Sequence, residues 1–287
     1  MITCEGDEAR GPGDRRSRRD RGLARPDAVC LTERMEQAIE AVPLSRILLA
    51  VVATLALAAP PVRVAAAVPT GTPIARLKTT VREIALSIDD GPQPGPVADT
   101  LLAMLAARRA HATFFVVGSE LAAHPEIGSR LLSAGHELGN HTWTHARLDS
   151  LPIDSLRIEL GRTDSLLRAL GARGRILVRP PYGALSEAAV AGLRREHRVV
   201  ALFDVDPSYD FPGVAAPDSI ADKTVLWLGP GSILVVHPWY GNDGPALAIL
   251  PGILDRLASL GYRVVTVSEL LKIRHAVVEP ALYHPVE

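Results

Sequence analysis

The chain has 287 residues, enough for one large domain or two small ones, and sets 31 Lys+Arg against 32 Asp+Glu. A balance that close gives no whole-protein case for a nucleic-acid partner. Both cysteines, Cys4 and Cys30, lie near the N-terminus. If that end is removed on export, disulfides and cysteine-bound zinc are excluded, and a metal must be held by His and carboxylate.

Residues 1–46 read as a disordered basic extension. Arg15, Arg16, Arg18, Arg19, Arg21 and Arg25 crowd among Gly, Pro and Asp, with too little apolar surface to fold alone. From Ile47 to Ala59 the chain is apolar and uncharged for thirteen residues, where a span needs about 20. With Arg46 before it and Ala65, Ala66 and Ala67 after it, 47–67 reads as a signal core and cleavage region. The run before it is long for a signal; Met35 would be a more ordinary start, leaving residues 1–34 as a gene-start artefact. An uncleaved anchor is the alternative, and a buried core helix fits the Pro-rich exit less well. The reading is a secreted or envelope-associated protein, a monomer, touching membrane only through the signal or an anchor.

The domain is expected over 68–272, with 273–287 as a tail. Its first sharp feature is Ile84-Ala85-Leu86-Ser87-Ile88-Asp89-Asp90-Gly91-Pro92, an apolar strand run that ends in a tight turn. Neighbouring strand side chains point to opposite faces, so two adjacent carboxylates share a site only where the backbone is already turning. The bland reading is that Asp-Asp-Gly-Pro is a turn and nothing more.

A helix is predicted over Pro96 to Arg109, a strand over Ala112 to Val117, and helix over Ser119 to Ala134 with a break at Pro125. A short strand, His136 to Leu138, leads into Gly139-Asn140-His141. Ile153 to Leu170 is a long helix closed by Gly171, and Arg175 to Arg179 is a strand stopped by Pro180-Pro181. Helix Ser186 to Glu196 precedes strand Arg198 to Val205. A loop-rich stretch follows, with a helix near Ala215 to Leu228. Strand Ser232 to Val236 ends at His237, helix Leu247 to Leu260 is capped by Gly261, and Tyr262 to Val267 is the last clear strand. Strands alternating with helices argue an α/β fold on a parallel sheet, open or closed into a barrel. Reactive groups then belong at the carboxyl ends of the strands. Asp89, Asp90, His141, Arg179 and His237 all fall at or just beyond such ends, which turn chemistry alone does not explain.

His141-Thr-Trp-Thr-His145 spaces two imidazoles so that one helical turn puts them on one face. With nine histidines in the chain such a pair means little alone. Joined by a carboxylate from another strand, it makes a His, His, Asp set with open positions, a hydrolytic arrangement. His111, His124, His136, His197, His275 and His284 take the structural or surface reading.

Ser87-Ile-Asp-Asp-Gly-Pro92, His141-Thr-Trp-Thr-His145, Arg179-Pro-Pro-Tyr-Gly183 and Val235-Val-His237 come in the order and approximate spacing of the polysaccharide deacetylases. Over roughly Val81 to Leu271 the chain resembles that family, carbohydrate esterase family four with its nodulation-type deacetylase domain. The resemblance implies a distorted (β/α) barrel in a single domain and metal-dependent removal of acetyl groups from an acetylated polysaccharide or oligosaccharide. By position, Asp90, His141 and His145 look like ligands of a divalent metal, zinc first and cobalt second. Asp89 looks like the general base, Arg179 its electrostatic partner, His237 the general acid, and the N–H of Tyr182, after Pro181, the oxyanion donor.

Two departures stand out. The family's fourth motif is altered to Asp204-Val-Asp206-Pro-Ser-Tyr-Asp210-Phe211, so either Asp206 or Asp210 is the partner of His237, with Asp210 favoured. Val235 stands where the family has Leu, which keeps an apolar wall. Trp239 or Tyr240 offers a stacking surface for a sugar ring, against the plainer reading of a packed loop aromatic. The function expected is deacetylation of an N-acetylglucosamine glycan such as peptidoglycan or a chitin-like polymer. An O-acetyl glycan esterase of the xylan type and a non-catalytic wall-glycan binder are the alternatives.

Overall fold

The computed structural model describes residues 70–207, 216–239 and 246–280. The expected signal segment, both cysteines, Asp210 and Tyr240 lie outside them. Strand β1 is Pro73–Lys78 and β2 Glu83–Asp89; helix α1 is Val97–Ala107, β3 Ala112–Val116, α2 Gly118–Ala123, α3 Pro125–Ser133 and β4 Glu137–Asn140. Then come α4 Ile153–Ala169, β5 Leu177–Val178, a 3₁₀ turn Pro181–Gly183, α5 Glu187–Arg195 and β6 Val199–Ala201. The chain closes with α6 Pro217–Trp227, β7 Ile233–Val236, α7 Ala246–Ser259, β8 Arg263–Val265, α8 Val267–Leu270 and β9 Val277–Pro280.

The sheet runs β7-β2-β3-β4-β5-β6-β1-β9, with β8 also on β2. Among the described strands only the β1/β9 ladder is antiparallel. A bridge from Val205 to Leu234 brings the chain after β6 back to β7, curling the sheet toward a barrel. Alternation along β2 sorts its side chains. Ile84, Leu86 and Ile88 pack outward with Leu101 and Leu105 of α1 and the buried faces of α6 and α7. Ala85 joins Phe115, Leu177, Val199, Ile233 and Val265 on the inner side, where Val267 and Leu270 of α8 also pack. On α4, Leu156, Leu160, Thr163 and Leu167 form one buried stripe at helical spacing. Inward-facing Ser87 and Asp89 therefore sit in the curled interior, each at most 2 % exposed.

Three differences from the sequence expectation have local causes. The strand expected over Tyr262 to Val267 stops at Val265, because Thr266 and Glu269 form a capping box that starts α8. The strand expected to Val205 is regular only to Ala201, with the single bridge at Val205 beyond it. Part of the expected tail is strand β9, paired with β1. Among the described residues no helix is long and apolar enough to cross a membrane.

Candidate active site

β2 ends at Asp89, and Asp90 then turns to a left-handed φ of 74°, which Asp tolerates better than most residues. That turn solves the strand-neighbour problem. Asp89 Oδ2 lies 3.9 Å and Asp90 Oδ1 3.2 Å from the same nitrogen, His141 Nε2. Gly91 follows because the chain packs tightly there: a Cβ would fall 2.1 Å from the ring of Trp239.

His141 leaves the end of β4, and its Nδ1–H donates to the Arg179 carbonyl at 2.7 Å. A carbonyl only accepts, so this bond fixes the tautomer and turns Nε2 toward Asp90. His145 Nε2 is 3.0 Å from the same Asp90 oxygen. One donor atom from each of Asp90, His141 and His145 lies within 4.8 Å of the others. Two imidazole nitrogens and a carboxylate oxygen form a donor set that suits a divalent metal. Burial raises the Asp90 pKa, but hydrogen bonds and charge from His141 and His145 outweigh it and hold the carboxyl below the usual range.

The His-x-x-x-His segment is not the helical turn its spacing suggested. Residues 141–147 carry no helix, and Thr142 and His145 are left-handed, with φ of 67° and 59°. A bond that a helical turn would make here is diverted: Ala146 N donates to Thr142 Oγ1 at 3.0 Å, and the Thr142 carbonyl accepts from Gly118 N at 2.9 Å. The N–H groups of the segment go to side chains, Thr142 N to Asn140 Oδ1 at 2.9 Å and Trp143 N and Thr144 N to Glu159.

Arg179 follows β5 and is wholly buried. Its Nη1 donates to Asp89 Oδ1 at 2.8 Å and to Ser87 Oγ at 2.6 Å. Nε and Nη2 donate to the Ala201 and Leu202 carbonyls, at 3.0 and 2.8 Å. Its guanidinium lies 4.2 Å from the Phe115 ring centre. Burial pulls the Arg179 pKa down, and the charge of Asp89 is the largest opposing influence. His237, just after β7, has Nε2 4.0 Å from Asp89 Oδ2 and Nδ1 3.6 Å from Asp206 Oδ2. Among the described residues, Asp206 is the carboxylate that faces Nδ1 of His237; the favoured Asp210 lies outside them. The Val205–Leu234 bridge carries Asp206 to the end of β7.

Pro181 opens the 3₁₀ turn, where its missing N–H is no loss. Tyr182 is left-handed at φ 60°, and its ring is 4.8 Å from that of His145. Trp239 offers no face to a sugar: it is 5 % exposed and packed in the outer apolar core with Phe114. Its position so soon after β7 draws it into the core, as the plainer reading had it. Among the described residues none of the remaining histidines joins the metal-ligand group. Burial and the nearby His111 push the His136 pKa down to about 4.

A curled parallel sheet carries a metal-compatible Asp-His-His group with a second carboxylate–histidine pair beside it, the set of groups that metal-assisted hydrolysis uses. The polysaccharide deacetylase family model matches residues 76–198. The peptidoglycan-N-acetylmuramic acid deacetylase PdaC of Bacillus subtilis (strain 168) is 33 % identical over 67 % of this chain, which spans 39 % of that protein's length. A chitooligosaccharide deacetylase of Rhizobium leguminosarum bv. trifolii is 32 % identical, over 62 % of this chain and 81 % of its own length. The solved structure of the Bc1960 peptidoglycan N-acetylglucosamine deacetylase superposes with a TM-score of 0.63 at 27 % identity, covering 69 % of this chain and 92 % of that one. The chain belongs to the polysaccharide deacetylase family.

Proposed function

We propose that this protein is an exported, divalent-metal-dependent hydrolase that removes acetyl groups from an N-acetylglucosamine-containing glycan, peptidoglycan or chitin-like. The observation that carries the reading is one cluster holding two separable functions. Asp90, His141 and His145 converge as ligands, while Asp89 and His237 stand beside them as base and acid. Relatives named as deacetylases of peptidoglycan and of chitooligosaccharides support the substrate class.

Asp90, His141 and His145 would hold the ion, zinc first and cobalt second. When bound it would supply a Lewis acid for the acyl carbonyl and lower the pKa of water toward neutrality. Asp89, aimed by Arg179, takes a proton from the attacking water. The N–H of Tyr182 donates to the developing oxyanion, where one such donor is worth about 3 kcal/mol. His237 Nε2 delivers a proton to the amine, which leaves badly without one. Asp206, with Oδ2 3.6 Å from Nδ1, keeps that imidazole oriented.

The test is acetate release by the purified protein, loaded with zinc or cobalt, from N-acetylated chitooligosaccharide and from peptidoglycan, with O-acetylated xylan as the contrasting substrate. Chelation is expected to abolish release and added metal to restore it. No acetate from any of the three would end the reading. Asp206→Asn is expected to lower kcat by about 10²-fold, the low end of a general-acid contribution, while Asp210→Asn leaves it near the parent value. The reverse ranking would reinstate Asp210.

A further inference from the structure

Between the two imidazoles lie Thr142, Trp143 and Thr144, which the proposed chemistry does not use. We propose that Glu159, on α4, is a positioning residue for the metal ligands, holding this segment in the shape that turns His145 toward Asp90. The inference rests on the metal reading of Asp90, His141 and His145.

Glu159 Oε2 accepts from the backbone N–H of Trp143 and of Thr144, both at 2.8 Å. Its Oε1 accepts from Thr144 Oγ1 at 3.1 Å. These are charge-assisted bonds, the stronger kind. The opposite side of the segment is held by the start of α2, where Gly118 N and Ser119 N donate to the carbonyls of Thr142 and Trp143 at 2.9 Å each. That approach needs glycine: a Cβ at Gly118 would fall 2.5 Å from the Trp143 ring and 2.4 Å from Thr163 Oγ1. One turn beyond Glu159, Arg162 lies 4.0 Å from the centre of the Trp143 ring. The segment is thus clamped by two helices, with its N–H groups on one and its carbonyls on the other.

The clamp matters because of backbone shape. Thr142 and His145 both hold left-handed φ, a conformation non-glycine residues seldom adopt without support. His141 has its own anchors, being buried and bonded through Nδ1 to the Arg179 carbonyl. His145 is more open, with a side chain 26 % exposed. Its direction is set by the backbone that Glu159 fixes, so loss of Glu159 falls mainly on His145. Glu159 reaches this backbone and no ligand ring, which separates its effect from that of the ligands.

The experiment compares the full chain with Glu159→Ala, Glu159→Asp and Glu159→Gln, each stripped of metal and titrated with zinc against a chromophoric chelator. The visible spectrum of the cobalt form is recorded in parallel. Removing an outer partner of a metal site weakens binding about 10–100-fold, and that is the expected loss for Glu159→Ala. Glu159→Gln keeps an acceptor oxygen of the right reach and is expected to stay within about threefold of the parent, with an unchanged cobalt spectrum. Activity of Glu159→Ala returns to near the parent value once zinc is saturating, because Glu159 touches no substrate. Should Glu159→Ala fail to fold, Glu159→Asp carries the test, its carboxylate withdrawn by one methylene and its zinc affinity expected to fall at least about tenfold. A folded Ala or Asp variant that binds zinc like the parent overturns the inference, as does equal weakening by Ala and Gln. A parent chain that binds no zinc overturns the metal reading itself.

Discussion

Asp89→Asn is expected to keep the metal content of the parent and to lose about 10²–10⁴-fold in kcat. The amide fills the same space, and its oxygen still accepts from Arg179 Nη1, now 2.8 Å from Asp89 Oδ1, so the interior stays folded. What it cannot do is take a proton from water. His141→Ala is expected to lose metal and activity together, since His141 Nε2 is one of three converging donors. Metal measured by atomic emission and kcat from acetate release decide the matter. Equal metal loss in the two variants would mean that Asp89 and Asp90 have exchanged roles.

The residues that converge are those whose position depends on strand ends. Asp89, Asp90, His141, Arg179 and His237 could be named because a parallel sheet exposes its carboxyl edge, and short apolar runs announce where each strand stops. Helices came through for the same reason: α4 carries its buried stripe at a regular spacing, and Pro125 divides α2 from α3 as its fixed ring requires. What the sequence hid depends on contacts between distant segments. Asp206 and Asp210 are indistinguishable by spacing, and the bridge from Val205 to Leu234 is what carries Asp206 to His237. His141 and His145 have helical spacing, yet the Thr142 carbonyl that a helix would offer to Ala146 N is taken by Gly118 N, and Ala146 N goes to the Thr142 hydroxyl. Glu159 carries no motif and gives no local signal. Trp239 could stack on a sugar or pack in its loop as far as spacing tells, and the packing around Gly91 is what buries it.

Arg179→Met is expected to destabilise the metal-free protein by about 3–5 kcal/mol, the usual result of removing one partner from a buried ion pair. Methionine fills much of the space but donates nothing. The substitution leaves the Asp89 carboxylate, 2 % exposed, without its guanidinium partner, and takes the Nε and Nη2 donors from the Ala201 and Leu202 carbonyls. Adding Asp89→Asn to Arg179→Met removes the stranded charge, so the double variant should recover part of the loss. A coupling of about 0.5–3 kcal/mol between contacting residues is the expected scale. Urea midpoints of the four metal-free proteins measure it, and strictly additive losses would show that the pair does not act as a unit. The metal-ligand side should respond differently. His141 is held by the backbone carbonyl of residue 179, which any side chain leaves in place. Arg179→Met that remains folded should therefore bind zinc near the parent level while losing turnover through a misplaced Asp89. Lost zinc binding in a folded Arg179→Met protein would instead assign the guanidinium to the ligand geometry.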